Sequence, residues 1–154
     1  ITDITDVTVE TYEIAALHNN YHPETMEGFR QSLPLSMAMA INHGNLDMAN
    51  IGNTNYDSLN EIASKIRIEC NHDLNKLYPQ KRPSNVTIKS KGQFYVERID
   101  LPKGEPENPF TKEEILNKFK TLNPQVDMNI LTVLEDLEDL DIGNLMYNLN
   151  YGFK

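Results

Sequence analysis

The sequence predicts an α+β fold, in which an antiparallel sheet carries helices packed on one face. Residues 85–89 and 93–100 both have the composition of strands, and Ser90-Lys91-Gly92 between them is suited to a hairpin turn. Residues 32–42 predict an apolar helix, and a capping box opens another helix at Thr111. The order along the chain, which runs strand, helices, strand, hairpin and helices, is typical of this class.

The first part of the chain is predicted to contain two strands. Valines alternate with threonines near its start and predict a strand over residues 6–17, which a polar, irregular connector follows over residues 18–30. Residues 57–65 place their apolar side chains on one helical face. Residues 66–70 then alternate regularly and predict the second strand.

The helix predicted for residues 32–42 has clear signals at both ends. Ser32 is a good N-cap, Pro34 fits the first turn because its missing N–H has no partner there, and Gly44 ends the helix. Its residues are apolar nearly all round. We therefore expect this helix to be the central core element, buried on most sides.

The second part of the chain is predicted to continue with a short helical turn over residues 73–78 and then the hairpin. Thr111 and Glu114 form the capping box of a helix that runs to Leu122. A further helix, rich in leucine, is predicted to start at Pro124.

The composition fits one globular domain over the 154 residues, with 39% hydrophobic and 24% charged residues. No apolar run approaches the roughly 20 residues that a membrane span needs. The net charge of −9 argues against a nucleic-acid partner. A single cysteine excludes an intrachain disulfide and fits a reducing compartment. We therefore expect a cytoplasmic protein, or one of an organelle matrix if a targeting segment precedes residue 1.

Several residues are of a type that could form a chemical site. His18 and His22 have a spacing that would suit a metal on a helix, but Pro23 argues against a helix there and no third ligand is evident. Cys70 is expected to be a buried structural thiol. The acidic run over residues 135–141 is expected to be the solvated face of an amphipathic helix, since it lacks the spacing of a calcium loop. We predict no metal site, no cofactor and no catalytic residue.

Three runs carry a resemblance to a known family. They are Gln31-Ser32-Leu33-Pro34-Leu35 with the apolar residues after it, the segment from Asp73 to Pro83, and the connector Lys103-Gly104-Glu105-Pro106-Glu107-Asn108-Pro109. In this order they resemble the C-terminal small domain of the MmgE/PrpD family, which includes relatives of 2-methylcitrate dehydratase and cis-aconitate decarboxylase. The resemblance extends over residues 6–149.

The resemblance implies that the chain is the α+β lid of a cofactor-independent lyase or isomerase that acts on a di- or tricarboxylic acid. Such lids close on a larger all-helical domain that carries most acid and base residues. We therefore expect that the helical domain of the same protein is missing here and that residues 1–154 alone are inactive. The implied partners are a small carboxylate substrate and the helical domain, with a homodimer as a possibility. The alternative is a non-catalytic binding or oligomerisation module that retains the lid fold.

The resemblance also implies three substrate-binding positions. Arg30 matches a basic residue before the Ser-Leu-Pro run, Ser32 opens that run, and Leu35 stands where relatives commonly carry a tyrosine. A leucine cannot donate a proton, so its presence affects which reaction is expected.

Overall fold

The computed structural model describes residues 3–46, 56–126, 130, 141–144, 146 and 147. The chain divides into two compact units, Ile1–Pro109 and Phe110–Lys154. The described elements are, in chain order, β1 (Ile4–Thr11), α1 (Glu13–Ala16), α2 (Met26–Arg30), α3 (Leu33–His43), α4 (Tyr56–Ala63), β2 (Ile66–Cys70), α5 (His72–Asn75), β3 (Ser84–Ser90), β4 (Gln93–Ile99) and α6 (Lys112–Leu122).

The first unit contains a four-stranded sheet in the order β2-β1-β3-β4. This confirms the α+β class and the predicted hairpin of β3 and β4. The prediction of an antiparallel sheet needs one correction, because β2 pairs with β1 in parallel. The connection from β1 to β2 includes α1 to α4. A crossover of that length returns the chain to the end of the sheet from which β1 started, as a parallel pair requires.

The hairpin has a two-residue turn rather than the predicted three-residue one. Ser90 pairs with Gln93, so only Lys91 and Gly92 lie outside the ladder. Both residues have positive φ, 50° and 76°. That combination matches a type I′ turn, whose twist suits the flanking strands and whose second position favours glycine.

The core lies between one face of the sheet and helices α3 and α4. Val7, Val9 and Ile66 point from the sheet into this core and are at most 3% exposed. The helices contribute the other buried side chains of this core, which are Phe29 from α2 and Leu35, Ala38, Met39, Leu59, Ile62 and Ala63 from α3 and α4.

Helix α3 confirms its predicted end signals. The Ser32 hydroxyl accepts a hydrogen bond from the Leu35 N–H at 3.2 Å, and Gly44 ends the helix with a φ of 76°. The helix is less enclosed than expected, since Ser36 and Met37 are only half-buried. It packs against the sheet and α4 on one side, so its other side remains partly exposed although its sequence is apolar.

The first strand is shorter than predicted. Residues 13–16 form α1 instead of strand, because the run Glu-Ile-Ala-Ala no longer alternates and its residues form helix readily. The connector over residues 18–30 also contains a helix, α2, whose first turn is capped by the Thr25 hydroxyl.

Cys70 is exposed, so the prediction of a buried thiol was wrong. It is the last residue of β2, which is an edge strand of the sheet. Because Cys70 alternates with Ile66 and Ile68, the sequence predicted its side chain on the apolar face of the strand. The core does not extend to the end of this edge strand.

The second unit begins with α6, and its predicted capping box is present. The Thr111 N–H donates to a Glu114 carboxylate oxygen at 2.7 Å, and the Glu114 N–H donates to the Thr111 hydroxyl at 3.2 Å. Residues 124–126 form a turn. The leucine-rich helix and the acidic run predicted beyond them lie mostly outside the described residues. Within the described residues, no helix is long and apolar enough to cross a membrane.

Candidate functional site

A groove of about 320 Å³ lies where α1 meets the junction of α2 and α3. We call it the Arg30 groove and define it by the polar side chains that line it, which are Tyr12, His18, Arg30, Gln31, Ser32 and Ser36. It combines one cation, an imidazole, a carboxamide and three hydroxyl groups. This is a set of groups that can bind a carboxylate through charge and hydrogen bonds.

Arg30 is the last residue of α2 and supplies the positive charge of the groove. Its side chain is 48% exposed, and its guanidinium lies 3.8 Å from the Glu27 carboxylate one turn earlier. An exposed ion pair at that distance is weak. A ligand carboxylate that reaches the guanidinium as a bidentate partner would therefore compete effectively with Glu27.

Ser32 lies in the same groove, but its hydroxyl is engaged by the protein. The side chain is buried, and the hydroxyl donates to the Asn20 carbonyl at 2.6 Å while it caps α3. The next N–H, of Leu33, donates to the His18 carbonyl at 2.9 Å. These bonds fix the chain around the start of α3. Ser32 therefore holds the start of α3 against the connector that carries His18 and Asn20.

Leu35 is not in the groove. It is 2% exposed and lines a separate cavity of about 390 Å³ together with Tyr21, His22 and Asn60. Leu35 packs into the hydrophobic core, whereas the half-buried Ser36 lines the Arg30 groove. The structure thus brings Arg30 and Ser32 together and places Leu35 elsewhere.

The polar residues of the groove that the sequence did not single out as substrate-binding are Tyr12, His18, Gln31 and Ser36. The spacing of Ser32 and Ser36 was a usable signal, because residues four apart share a helical face. His18 was considered only as a metal ligand. Its place in the groove depends on the turn of α1, which was predicted as strand.

Tyr12 forms one wall of the groove. Its ring stacks on that of Tyr78, with centroids 4.7 Å apart and planes 10° from parallel. Tyr78 approaches from the segment after α5. Aromatic pairs of this kind add to the stability gained from burial.

The histidines do not form a metal site in the described part of the chain. His18 lines the Arg30 groove and His22 lines the cavity of Leu35. No group of three or more His, Cys, Asp or Glu side chains among the described residues is arranged to hold a metal ion.

Comparison with known proteins identifies the family. The family model described as the MmgE/PrpD C-terminal domain matches residues 1–129. That match covers β1 to α6, and therefore the whole sheet and the Arg30 groove. No curated protein matches the chain. The chain belongs to the MmgE/PrpD family and carries its C-terminal domain.

Proposed function

We propose that this chain is the lid of a cofactor-independent lyase or isomerase, similar to 2-methylcitrate dehydratase, that acts on a di- or tricarboxylic acid. Family membership supports the lid assignment. The observation that carries the substrate class is the half-exposed guanidinium of Arg30 in a groove with His18 and Ser36.

In this proposal the Arg30 groove binds one carboxylate of the substrate. The Arg30 guanidinium donates two N–H groups to the two carboxylate oxygens. The Ser36 hydroxyl supplies a neutral donor. Tyr12, held by its stacking on Tyr78, limits the size of the group that enters. Closure of the lid also excludes water from the bound substrate.

The acid and base of the reaction belong to the helical domain in this proposal. The position where relatives carry a tyrosine is the buried Leu35, which has no proton to transfer. The lid therefore binds and encloses the substrate without transferring its proton. The same proposal places the protein in a reducing compartment, where its one free thiol, Cys70, stays reduced.

The alternative, a non-catalytic binding or oligomerisation module, draws support from one observation. Burial of Leu35 and engagement of the Ser32 hydroxyl remove two of the three expected substrate contacts. The lid function predicts that a carboxylate binds at Arg30, whereas absence of such binding would favour the non-catalytic module.

The test is an NMR titration of residues 1–154 with citrate and 2-methylcitrate. We expect weak binding, with a dissociation constant on the order of 1–10 mM, and shifts confined to the Arg30 groove, at Tyr12, His18, Arg30 and Ser36. Arg30→Gln should weaken binding at least about fivefold, because the charge-assisted bonds are lost. Lys76→Gln, which removes an exposed cation paired with Asp73, is the matched control and should leave binding unchanged.

Two results would contradict this proposal. Shifts that are absent from the groove, or that persist in Arg30→Gln, would exclude a carboxylate site there and favour the non-catalytic module. Turnover of citrate, 2-methylcitrate or cis-aconitate by residues 1–154 alone would show that the acid and base lie in this chain, which the lid assignment excludes.

A further inference from the structure

The cavity beside Leu35 is larger than the Arg30 groove, at about 390 Å³ against about 320 Å³. We call it the Leu35 cavity. Its floor is apolar and belongs to the core, since the Leu35 and Phe29 side chains that line it are only 2% and 3% exposed. Met26 extends this apolar lining towards solvent. A space of this volume is in the range of sites that hold small molecules.

One wall of the Leu35 cavity is tied to the sheet. Tyr21 lines the cavity, and its hydroxyl donates to the Ile66 carbonyl of β2 at 2.8 Å. A smaller cavity of about 100 Å³ is also lined by Tyr21, His22 and Asn60, so the two spaces adjoin. A site that is already formed suits a small ligand, because binding then costs little ordering of the protein.

The mouth of the Leu35 cavity is polar and contains one formal charge. His22, Glu24 and Asn60 line it and are exposed. Within the described residues, the Glu24 carboxylate and the Asn60 carboxamide have no hydrogen-bond partner, so both are available to a ligand. The carboxylate, the carboxamide oxygen and the unprotonated imidazole nitrogen of His22 are all acceptors. The mouth therefore offers acceptors and a negative charge.

We propose that the Leu35 cavity binds a small primary amine with a compact apolar body, such as an arylalkylamine. The apolar body lies on the floor of the cavity, where its burial supplies most of the affinity. The ammonium group stays at the mouth and donates its three N–H groups to the acceptors there. The net charge of −9 also attracts a cation at long range. This site is independent of the carboxylate-binding groove.

The charges of the two sites separate their ligands. The Arg30 groove contains a cation, whereas the charge in the Leu35 cavity is the carboxylate of Glu24. An anionic ligand in the cavity would meet that carboxylate and be repelled. A neutral ligand of the same shape would gain the apolar burial but lose the charge-assisted hydrogen bond. The affinity should therefore fall from amine to alcohol to carboxylate.

The test is an NMR titration of residues 1–154 with benzylamine, benzyl alcohol and benzoate, which share one ring and differ in charge. We expect benzylamine to bind with a dissociation constant on the order of 1–10 mM and to shift the resonances of Phe29, Leu35 and the Asn60 side-chain amide. Benzyl alcohol should bind at least about threefold more weakly. Benzoate should leave these resonances unchanged. Any benzoate shifts should lie in the Arg30 groove, so the two sites are tested separately.

Variants at the mouth supply the controls. Glu24→Gln removes the carboxylate and should weaken benzylamine binding about threefold, as expected for an exposed ion pair. Asn60→Asp adds a carboxylate and should strengthen binding by a similar factor. Glu61→Gln is the matched control, because Glu61 lies 3.7 Å from the Lys65 ammonium and does not line the cavity, and it should leave binding unchanged. All three substituted positions are exposed, so the variants should fold like the parent.

Three results would overturn the proposal. Benzylamine shifts that are absent from the Leu35 cavity would exclude a site there. Equal binding of benzylamine and benzyl alcohol would show that the mouth does not select a cation. Equal weakening by Glu24→Gln and Glu61→Gln would assign the effect to the net charge of the chain rather than to the cavity.

Discussion

Replacing Met39 by alanine should reveal how much α3 contributes to the stability of the first unit. Met39 is fully buried, whereas Met37 on the same helix is half-buried and packs only at the margin of the core. Truncation of a buried methionine removes its transfer free energy and leaves a cavity, which together cost about 2–5 kcal/mol. We expect a loss of about 3 kcal/mol for Met39→Ala and about 1 kcal/mol for Met37→Ala.

Urea unfolding measures both losses. With a slope of about 2 kcal/mol per molar urea, the Met39 variant should shift the midpoint by about 1.5 M and the Met37 variant by about 0.5 M. The chain contains no tryptophan. Far-UV circular dichroism therefore gives the global signal, and the methyl resonances of Val7 and Val9 report the first unit. Equal losses for the two variants, or a larger loss for Met37→Ala, would refute the placement of α3 in the core.

Three further predictions concern single contacts. The buried Thr11 hydroxyl donates to a backbone carbonyl at 2.8 Å, so Thr11→Val should lose about 1–3 kcal/mol in urea unfolding, and Thr11→Ser should lose less. Gly44→Ala should lose about 1 kcal/mol in the same assay; a Cβ there meets no atom within 4 Å, so the cost comes from the φ of 76° alone. Hydrogen bonds from Lys81 and Arg98 lower the pKa of Asp100 below its ordinary value of 3.8. A lowered folded-state pKa contributes stability above the unfolded-state pKa, and that stability is lost as the pH falls through the folded value. Asp100→Asn should therefore melt below the parent at pH 7. The difference should shrink as the pH falls below 3.8 and vanish once the pH lies below the lowered folded-state pKa.

The features that the sequence predicted correctly have local causes. The caps of α3 are set by Ser32 and Gly44, which act on N–H and C=O groups within one turn. The capping box of Thr111 and Glu114 spans three residues. The hairpin depends on alternation and on a glycine that accepts positive φ. Each of these signals is complete within a few residues, so no tertiary information is needed to interpret it.

The features that the sequence did not predict depend on distant contacts. The direction of β2 relative to β1 is decided by the path of the crossover, which no single residue encodes. The exposure of Cys70 follows from the position of β2 at the sheet edge. The Arg30 groove forms only because α1, at Glu13–Ala16, lies beside the start of α3. Alternation of apolar and polar residues indicated which face of each strand is buried, but it did not indicate how far the core extends along the strand.

The strand order has a consequence for the time at which the sheet can form. β1 occupies the middle of the sheet, yet both of its neighbours are made later, and the side chains of Glu10 and Asn85 meet across 75 residues of chain. During synthesis the backbone N–H and C=O groups of β1 therefore have no strand partner until β2 and β3 have emerged from the ribosome. The β3–β4 hairpin needs only its own residues and can form as soon as it is made. Because closing long loops slows folding, we expect β1 to join the sheet as the late step, docking against a hairpin that already exists.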